Sequence, residues 1–223
     1  MAKSIDIETI PNETMIPFLP EPEVATGNLK DPEKIATKIE VAERSQIEKM
    51  ALSPLTGRIC SYAVCDEDDS NNGYKVINSI NDEMEACLIT DIFNELTIGK
   101  KFEASVIITW NGNNFDLPFI YKRSAILGIK LPKNSPPLSY WTKRYTNVPH
   151  CDLMQVWSNW GAFDGAHLGW VSEVVLKEKK IDVDVTKFLE MLNNGEGEKI
   201  GKYNLQDAIL TMKLYRHLNN YFF

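Results

Sequence analysis

The alternation of apolar and polar residues predicts a sheet of short strands. A first strand is expected at Ser4–Glu8. Two further strands, Arg58–Cys65 and Tyr74–Ile80, flank a polar loop in the pattern of a hairpin. The run ASVIITW at 104–110 is nearly all apolar, which is typical of a strand buried on both faces. A weaker pattern favours one more short strand near Thr146–Asp152.

Helical patterns separate these strands and follow them. Asp31-Pro32 combines an N-cap residue with a proline in the first turn, and predicts a helix to about Met50. The other predicted helices are Asp82–Ile98, Asp116–Leu127, Asp152–Trp160, Leu168–Lys179, Val185–Asn193 and Glu198–Tyr221. Residues 10–30 and 128–149 are predicted as loops. This order of elements predicts a mixed α/β fold, with helices packed around one sheet.

Composition and charge exclude several classes of protein. The chain has 223 residues, of which 43% are hydrophobic and 25% charged, as in ordinary globular proteins. Its net charge of −7 argues against a polybasic coat on nucleic acid, but not against an enzyme that meets phosphates through metal ions. The four cysteines form no CxxC pair, and the first residues contain no long apolar run. We therefore expect reduced thiols and a cytoplasmic protein.

Asp6 and Glu8 are the first candidates for chemistry. Side chains at i and i+2 of a strand share a face, about 6.5 to 7 Å apart along it. Two carboxylates so placed, with Ile5 and Ile7 on the opposite face, can bind a hard cation such as Mg²⁺. A solvent-facing strand edge explains the same pattern, and the triplet alone is weak.

The second candidate follows the buried strand predicted at 104–110. The polar turn after Trp110 leads to Asp116 at the start of a predicted helix. Sheets of α/β proteins place ligand sites where a strand ends and a helix begins. Asp116 also suits an N-cap, and the two roles are compatible.

The last predicted helix carries two stripes of side chains. One holds Leu205, Ala208, Ile209, Met212 and Tyr215, and we expect it to face the core. The other holds Tyr203, Asp207, Leu210 and Leu214. Because a buried carboxylate without a partner is costly, Asp207 is expected beside a cation or donor. An exposed acid near the helix N-terminus is the alternative.

Three motifs then stand in order along the chain: Asp6-x-Glu8, Asn111-x-x-x-Phe115-Asp116 and Tyr203-x-x-x-Asp207. Together they resemble the three exonuclease motifs of the DEDD (DnaQ-like) 3′–5′ exonucleases, and the combination is much more specific than any one part. The run Phe-Asp-Leu-Pro is similar to the proofreading domains of family B DNA polymerases. The segments LSPLTGRI at 52–59 and HCDLM at 150–154 resemble the free-standing predicted exonucleases related to those domains.

The resemblance implies an RNase H-like fold, with a mixed five-stranded sheet and flanking helices. It implies one 3′–5′ exonuclease domain over residues 1–223, with a helical insertion at about 17–54 of no assigned role. The implied reaction removes nucleotides from a 3′ end of nucleic acid, with single-stranded DNA favoured over RNA. Protein partners stay unknown, and no membrane is involved.

The resemblance also assigns residues to roles. The implied cofactors are two divalent ions, Mg²⁺ or Mn²⁺, and the implied ligands are Asp6, Glu8, Asp116 and Asp207. Tyr203 would orient the attacking water, which is the tyrosine (DEDDy) subclass. In the histidine subclass the histidine stands five positions before the last Asp, where this chain has Lys202. Asn111 and Phe115 of the middle motif would contact substrate.

The segment 117–150 is the basic part of an acidic chain. It contains no Asp or Glu, and its basic residues are Lys122, Arg123, Lys130, Lys133, Lys143 and Arg144. Tyr140, Trp141 and Tyr145 lie among them. Basic residues interleaved with aromatic ones suit a single strand, by phosphate pairing and base stacking. We therefore assign Lys143, Arg144 and Trp141 as candidate substrate contacts. A solvated loop over buried aromatic residues is the alternative.

The sequence leaves the roles of other polar residues, and other functions, open. Asp152 is more simply an N-cap than a further acid of the site, and His150, His167 and His217 share no ligand-like spacing. An exoribonuclease is one alternative function. A catalytically silent nucleic-acid-binding module of the same fold is another, disfavoured because all four acids and the tyrosine are present.

Overall fold

The structure, a computed structural model, describes residues 2–25, 27, 30–97 and 106–223. The strands of the described part are β1 (Ala2–Pro11), β2 (Gly57–Asp66), β3 (Asn72–Val76), β4 (Val106–Thr109) and β5 (His150–Asp152). The helices are α1 (Pro32–Met50), α2 (Asp82–Thr97), α3 (Asp116–Ile126), α4 (Leu138–Trp141), α5 (Leu153–Trp157), α6 (Leu168–Val175), α7 (Phe188–Asn193) and α8 (Gly197–Phe222). Short 3₁₀ turns cover Glu13–Phe18 and Val185–Lys187.

The strands form one mixed, five-stranded sheet in the order β3-β2-β1-β4-β5. β1 pairs with β2 in the antiparallel sense, and β4 pairs with β5 in the parallel sense. The parallel pairing of β1 with β4 covers only Ala2–Ser4 against Val106–Ile108. Residues 5–11 of β1 do not pair with β4, so the backbone groups on that edge can bind other partners.

The two faces of the sheet bury two separate apolar clusters. On β1, Ile5 and Ile7 pack into a cluster with α2 and α3. The opposite face packs against α8, where Ser4 donates its hydroxyl to the Ala208 carbonyl over 2.7 Å. This alternation is the one that the sequence predicts for β1, and it directs Asp6 and Glu8 toward α8.

Helix α8 packs closely across the sheet, and Gly201 permits the contact. A Cβ at this position would lie 2.1 Å from ring atoms of Tyr74 on β3. The buried face of α8 is wider than the predicted core stripe. Ala208 and Met212 of that stripe are fully buried, while Leu205, Ile209 and Tyr215 are half-buried and pack against the same core. Leu210 and Leu214 are fully buried as well, so the stripe that carries Asp207 also lies in the interior.

Most predicted elements are present, with shifted ends. Strand β1 is longer than Ser4–Glu8, and β3 begins and ends earlier than predicted. Helix α4 and the 3₁₀ turn at Glu13–Phe18 lie in segments predicted as loops. The predicted ends at Ile98 and at 104–105 lie outside the described residues. In the segment 17–54, α1 has the predicted start and end.

Among the described helices, none is both long enough and apolar enough to cross a membrane.

Candidate active site

Three carboxylates converge where the middle of β1 meets α8. Oxygens of Asp6, Glu8 and Asp207 all lie within 4.8 Å of one another. Asp6 and Glu8 share one face of β1, as predicted, and Asp207 stands on α8 directly across from them. Asp207 is buried, and its Oδ1 has no hydrogen-bond partner among the described residues. Oxygens gathered in this way are suitable ligands for a hard divalent cation.

Asp116 reaches the same place from the other side of β1. It is the first residue of α3 and is buried, and its Oδ1 accepts the backbone N–H of Ile7 over 3.2 Å. This N–H belongs to the part of β1 that has no β4 partner. The N-cap of α3 is Phe115 rather than the expected Asp116. The carboxylate of Asp116 instead accepts a hydrogen bond from the edge of β1. The structure thus brings Asp116 beside the three converging carboxylates but outside their 4.8 Å group.

The electrostatics of the four acids is unfavourable without a cation. Burial, together with the other carboxylates, raises the pKa values of Asp6 and Glu8 well above their ordinary range. Burial raises the pKa of Asp116 to about 7, and that of Asp207 to about 6 even though Lys180 acts in the opposite direction. Like charges brought together in a desolvated place cannot all ionise freely, and a bound cation relieves their repulsion.

Lys180 is a site residue that we did not predict from the sequence. It lies in the segment between α6 and α7, and its Nζ donates to Asp207 Oδ2 over 2.5 Å. The same Nζ lies 4.1 Å from the centre of the Tyr203 ring. Burial opposes the charge on Lys180, but Asp207 and the Tyr203 hydroxyl raise its pKa above the ordinary value. Only the expectation of a cation beside Asp207 pointed to such a residue.

Tyr203 stands one turn before Asp207 on α8, with its side chain buried. Its ring packs edge-on against Phe188, with centroids 5.6 Å apart. Burial raises the pKa of its hydroxyl to about 12, so the phenol keeps its proton at neutral pH. The hydroxyl can therefore donate a hydrogen bond as well as accept one.

Asn204 is a second site residue that we did not predict, because it occupies an unspecified position of the third motif. It is fully buried, donates its amide to Asp6 Oδ2 over 2.7 Å and accepts the Ser61 hydroxyl over 3.2 Å. This contact links α8 to the acid-bearing strand. No signal in the sequence distinguishes Asn204 from other polar residues of the helix.

Asp152 organises the loop that precedes Asp116. One carboxylate oxygen accepts the N–H of Asn111 and the other accepts that of Asn113, each over 2.9 Å. Asp152 also caps α5 by accepting from Met154 N, as its N-cap prediction requires. The loop between β4 and α3 is thereby attached to β5, and Asn111 is directed into the cavity above the acids.

This cavity has a volume of about 640 Å³. Its lining combines Asp6, Asp207 and Lys180 with Asn111, Trp110 and His167. His167, which its spacing did not mark as functional, thus lines the cavity, whereas His150 is buried between Thr109 and the carbonyl of Trp141. Phe115 packs against Phe119 with centroids 5.4 Å apart, and does not belong to the lining.

Only part of the basic segment 117–150 lies at the protein surface. Arg123 is buried and bound through two nitrogens to Glu85, at 2.8 and 2.6 Å, so its charge is neutralised in the core. Trp141 is only 3% exposed and donates its indole N–H to the Tyr121 hydroxyl over 2.9 Å. This burial argues against the expectation that a base stacks on Trp141. Arg144 and Lys143 are exposed, with Lys143 5.3 Å from the centre of the Tyr140 ring.

Comparison with known proteins finds relatives among DNA polymerases. Curated relatives include the DNA polymerase of Pyrococcus glycovorans, 33% identical over 130 residues, and that of Bombyx mori nuclear polyhedrosis virus, 29% identical over 148 residues. The matches cover 54% and 59% of this chain but only 17% and 15% of the polymerases, respectively.

A solved structure of the family B DNA polymerase from Pyrobaculum calidifontis has the same fold. It superposes on 98% of this chain, and on 24% of the polymerase, with a TM-score of 0.62 and 18% sequence identity.

A family described as "Predicted 3'-5' exonuclease related to the exonuclease domain of PolB" matches residues 52–221. The match includes Asp116, Tyr203 and Asp207. It begins after Asp6 and Glu8, which are assigned to the site by the first sequence motif and by their position beside Asp207. The chain belongs to this family of 3′–5′ exonucleases.

Proposed function

We propose that the protein hydrolyses nucleotides from the 3′ end of single-stranded DNA and uses two divalent metal ions, Mg²⁺ or Mn²⁺. The observation that carries the proposal is the convergence of Asp6, Glu8 and Asp207 within 4.8 Å, with Oδ1 of Asp207 left without a partner among the described residues. An unpartnered buried carboxylate oxygen is costly, and a metal ion satisfies it.

The donor set fits the proposed metals. Asp6, Glu8 and Asp207 would hold one ion between β1 and α8, and Asp116 would contribute from the side of α3. All four offer carboxylate oxygens, which Mg²⁺ and Mn²⁺ prefer. When bound, a pair of such ions lowers the pKa of a water and stabilises the oxygen that leaves the phosphorus.

The other residues of the site position reactants. We assign Tyr203 the orientation of the attacking water, through a hydroxyl that keeps its proton. Lys180 would hold Asp207 ionised and in place. It also brings a positive charge to the cavity, where a scissile phosphate needs one. Asn204 would fix the rotamer of Asp6 by its hydrogen bond. The presence of all four acids and Tyr203 at one place supports a hydrolase rather than a silent binding module.

The choice of DNA rests on the relatives, whose printed names are those of DNA polymerases. The exposed Lys143 and Arg144 support a nucleic acid in general. We propose that they contact the phosphates of the strand, and that Asn111 contacts the terminal nucleotide. Phe115 would act indirectly, by packing against Phe119 and supporting the loop that carries Asn111. Exoribonuclease activity remains the alternative.

We also propose that residues 1–223 act as one exonuclease domain in which 17–54 is an insertion. We further propose a cytoplasmic location, because all four cysteines are free thiols.

The test uses 5′-labelled oligonucleotides of DNA and RNA, single- and double-stranded, with Mg²⁺, Mn²⁺ or excess chelator. We expect a ladder that shortens from the 3′ end of single-stranded DNA and disappears in chelator. Asp6→Asn and Asp207→Asn should each lower kcat by orders of magnitude while the fold survives. Glu83→Gln removes an exposed carboxylate from α2 and should leave kcat unchanged. Cleavage that persists in chelator would contradict the metal mechanism, and RNA cleaved faster than DNA would favour the alternative.

A further inference from the structure

A second cavity lies beside the loop that leads to Asp116. It has a volume of about 320 Å³, within the usual range of ligand pockets of about 300–1,000 Å³. Its lining is polar and aromatic: Asn113, Asn114, Thr142, Arg144, Gln155, Tyr145 and Trp160.

Tyr145 and Trp160 form an aromatic pair in this cavity. Their ring centroids lie 5.2 Å apart, with the planes tilted by 50°. Tyr145 is 75% exposed, so a face of its ring is open, while Trp160 is half-buried behind it. An exposed aromatic ring beside an arginine is the combination on which single-stranded nucleic acids stack their bases.

The backbone holds these two rings in an unusual way. Tyr145 has φ +62°, Trp160 has φ +58° and the preceding Asn159 has φ +47°. Bulky residues seldom adopt this left-handed conformation, and those that do are held by their surroundings. Here Trp160 N donates to the Gln155 carbonyl over 2.7 Å, and Asn159 N donates to the Val156 carbonyl over 3.0 Å. These hydrogen bonds attach the backbone that carries the Trp160 ring to α5.

The two cavities are lined by neighbouring residues of one loop and one helix. Asn111 lines the cavity above the acids and Asn113 lines the second cavity, and the carboxylate of Asp152 accepts both of their N–H groups. On α5, likewise, Met154 lines the first cavity and Gln155 the second. A ligand in the second cavity is therefore a near neighbour of one at the acids.

We propose that the second cavity binds a nucleotide of single-stranded DNA on the 5′ side of the bond that is cleaved. Its base stacks on Tyr145, with Trp160 behind it, and Arg144 pairs with a phosphate of the strand. The inference rests on the proposed function. A strand whose 3′ end lies at the acids continues only in the 5′ direction, so an adjoining nucleotide site takes an upstream residue.

The first experiment removes single bases from the substrate. Single-stranded DNA carrying one abasic residue, placed at each of the positions upstream of the 3′ end, is titrated against the wild type and Tyr145→Ala. One position should weaken wild-type binding by roughly 5- to 150-fold, the range of one base–aromatic stack. Tyr145→Ala should bind intact DNA weakly and should lose nothing more at that position. Tyr145→Phe keeps the ring and should bind as the wild type does.

One control and one further variant make the result specific. Phe163→Ala removes a ring that is 70% exposed on the same stretch of chain but lines neither cavity, and it should bind DNA normally. Arg144→Gln should lower the log–log salt slope of binding by about 0.7, the value for one phosphate contact to a single strand.

The second experiment separates this inference from the proposed function. The p-nitrophenyl ester of thymidine 5′-phosphate contains a scissile phosphate and no upstream nucleotide. We expect the wild type and Tyr145→Ala to hydrolyse it equally, while Tyr145→Ala shows a raised KM on oligonucleotides alone. A wild type inactive on both substrates would overturn the proposed function. A wild type active on both, with Tyr145→Ala binding DNA normally, would overturn the upstream nucleotide site and leave the exonuclease intact.

Discussion

Asn204 donates its side-chain amide to Asp6 over 2.7 Å, so the last helix holds the first acid of the chain in position. The two residues are separated by 198 positions in sequence. Asn204 carries no charge, and its hydrogen bond is to Oδ2 of Asp6. The contact orients a proposed metal ligand without neutralising it.

Replacing Asn204 should therefore weaken metal binding before it affects the fold. Asn204→Leu keeps the volume but leaves Asp6 without its donor, and we expect metal affinity or activity to fall by about 10- to 100-fold. A titration of activity with Mn²⁺ measures the midpoint. Ser61→Ala removes the other partner of Asn204 and should leave the midpoint near that of wild type. A midpoint that Asn204→Leu does not move would mean that the amide only fills the core.

Tyr203→Phe tests the water-positioning role. The ring stays packed against Phe188, so stability should hardly change. Loss of the hydroxyl should lower kcat by roughly 10- to 1,000-fold, because misorientation of a reactant costs a few kcal/mol. Affinity for DNA and for metal should remain. Single-turnover rates at saturating substrate are the appropriate measurement, and a variant as fast as wild type would reduce Tyr203 to a packing residue.

Lys180 should set the acidic limit of activity. It lowers the pKa of Asp207, so Lys180→Met should raise that pKa and move the acidic limb of the pH–rate profile to higher pH. The neighbouring Lys179 is exposed and pairs with Glu173 at 3.5 Å, which makes Lys179→Met the matched control. Profiles of kcat from pH 5 to 9 in both variants decide the point. Equal limbs in the two variants would exclude Lys180 from the control of Asp207.

Ionisation of the buried Asp116 should destabilise the metal-free protein at neutral pH. Its pKa rises on folding from 3.8 to about 7, so the folded state binds the proton more tightly. Stability from that proton is complete below the unfolded value of 3.8 and is lost as the pH rises through about 7.

Asp116→Asn keeps an oxygen for the N–H of Ile7 but has no charge to bury. In chelator at pH 8, we expect the free energy of unfolding of the variant to exceed that of the wild type by a few kcal/mol. This difference should become small toward pH 4. Thermal melts at the two pH values measure it. Adding Mn²⁺ at pH 8 should stabilise the wild type more than the variant. If the variant melted lower in chelator at pH 8, the buried charge would not be the cost that we infer.

Glu85 should contribute more to stability than any surface ion pair among the described residues. It is fully buried between Arg123, Arg58 and the N–H of Ile59, with oxygen–nitrogen distances of 2.6, 3.6 and 2.9 Å. Glu85→Ala leaves the buried guanidinium of Arg123 without its carboxylate and leaves Arg58 with Asp82 as its remaining ion-pair partner. The loss should cost about 3–5 kcal/mol. Asp82→Ala removes a partner of Arg58 that is 69% exposed, and should cost at most about 1 kcal/mol. Urea unfolding compares the two, and similar midpoints would argue against the buried cluster.

The residues of the site differ in how far the sequence revealed them. Asp6, Glu8, Asp116, Tyr203 and Asp207 stand in ordered motifs with fixed spacings, and these motifs pointed to the exonuclease family that the comparison shows. Lys180 and Asn204 have no such spacing, because their importance arises from contacts with residues 27 and 198 positions away. Local pattern does not report contacts of this kind.

The sequence also did not show which side chains of the basic segment are exposed. Trp141, Tyr145 and Arg123 belong to one basic, aromatic segment, yet the structure buries Trp141 and Arg123 and exposes Tyr145. The difference depends on what the rest of the chain brings to each side chain, such as Glu85 from α2 to Arg123.

By itself the sequence determined the α/β class, most strand and helix positions and the acids of the motifs, since each follows from local periodicity or spacing. Tertiary structure alone decided that Lys180 pairs with Asp207, that Asn204 donates to Asp6, and that a Tyr145–Trp160 pair lies beside the site. These relationships depend on how β1, α8 and the loops pack together, and packing joins residues that no short-range pattern connects.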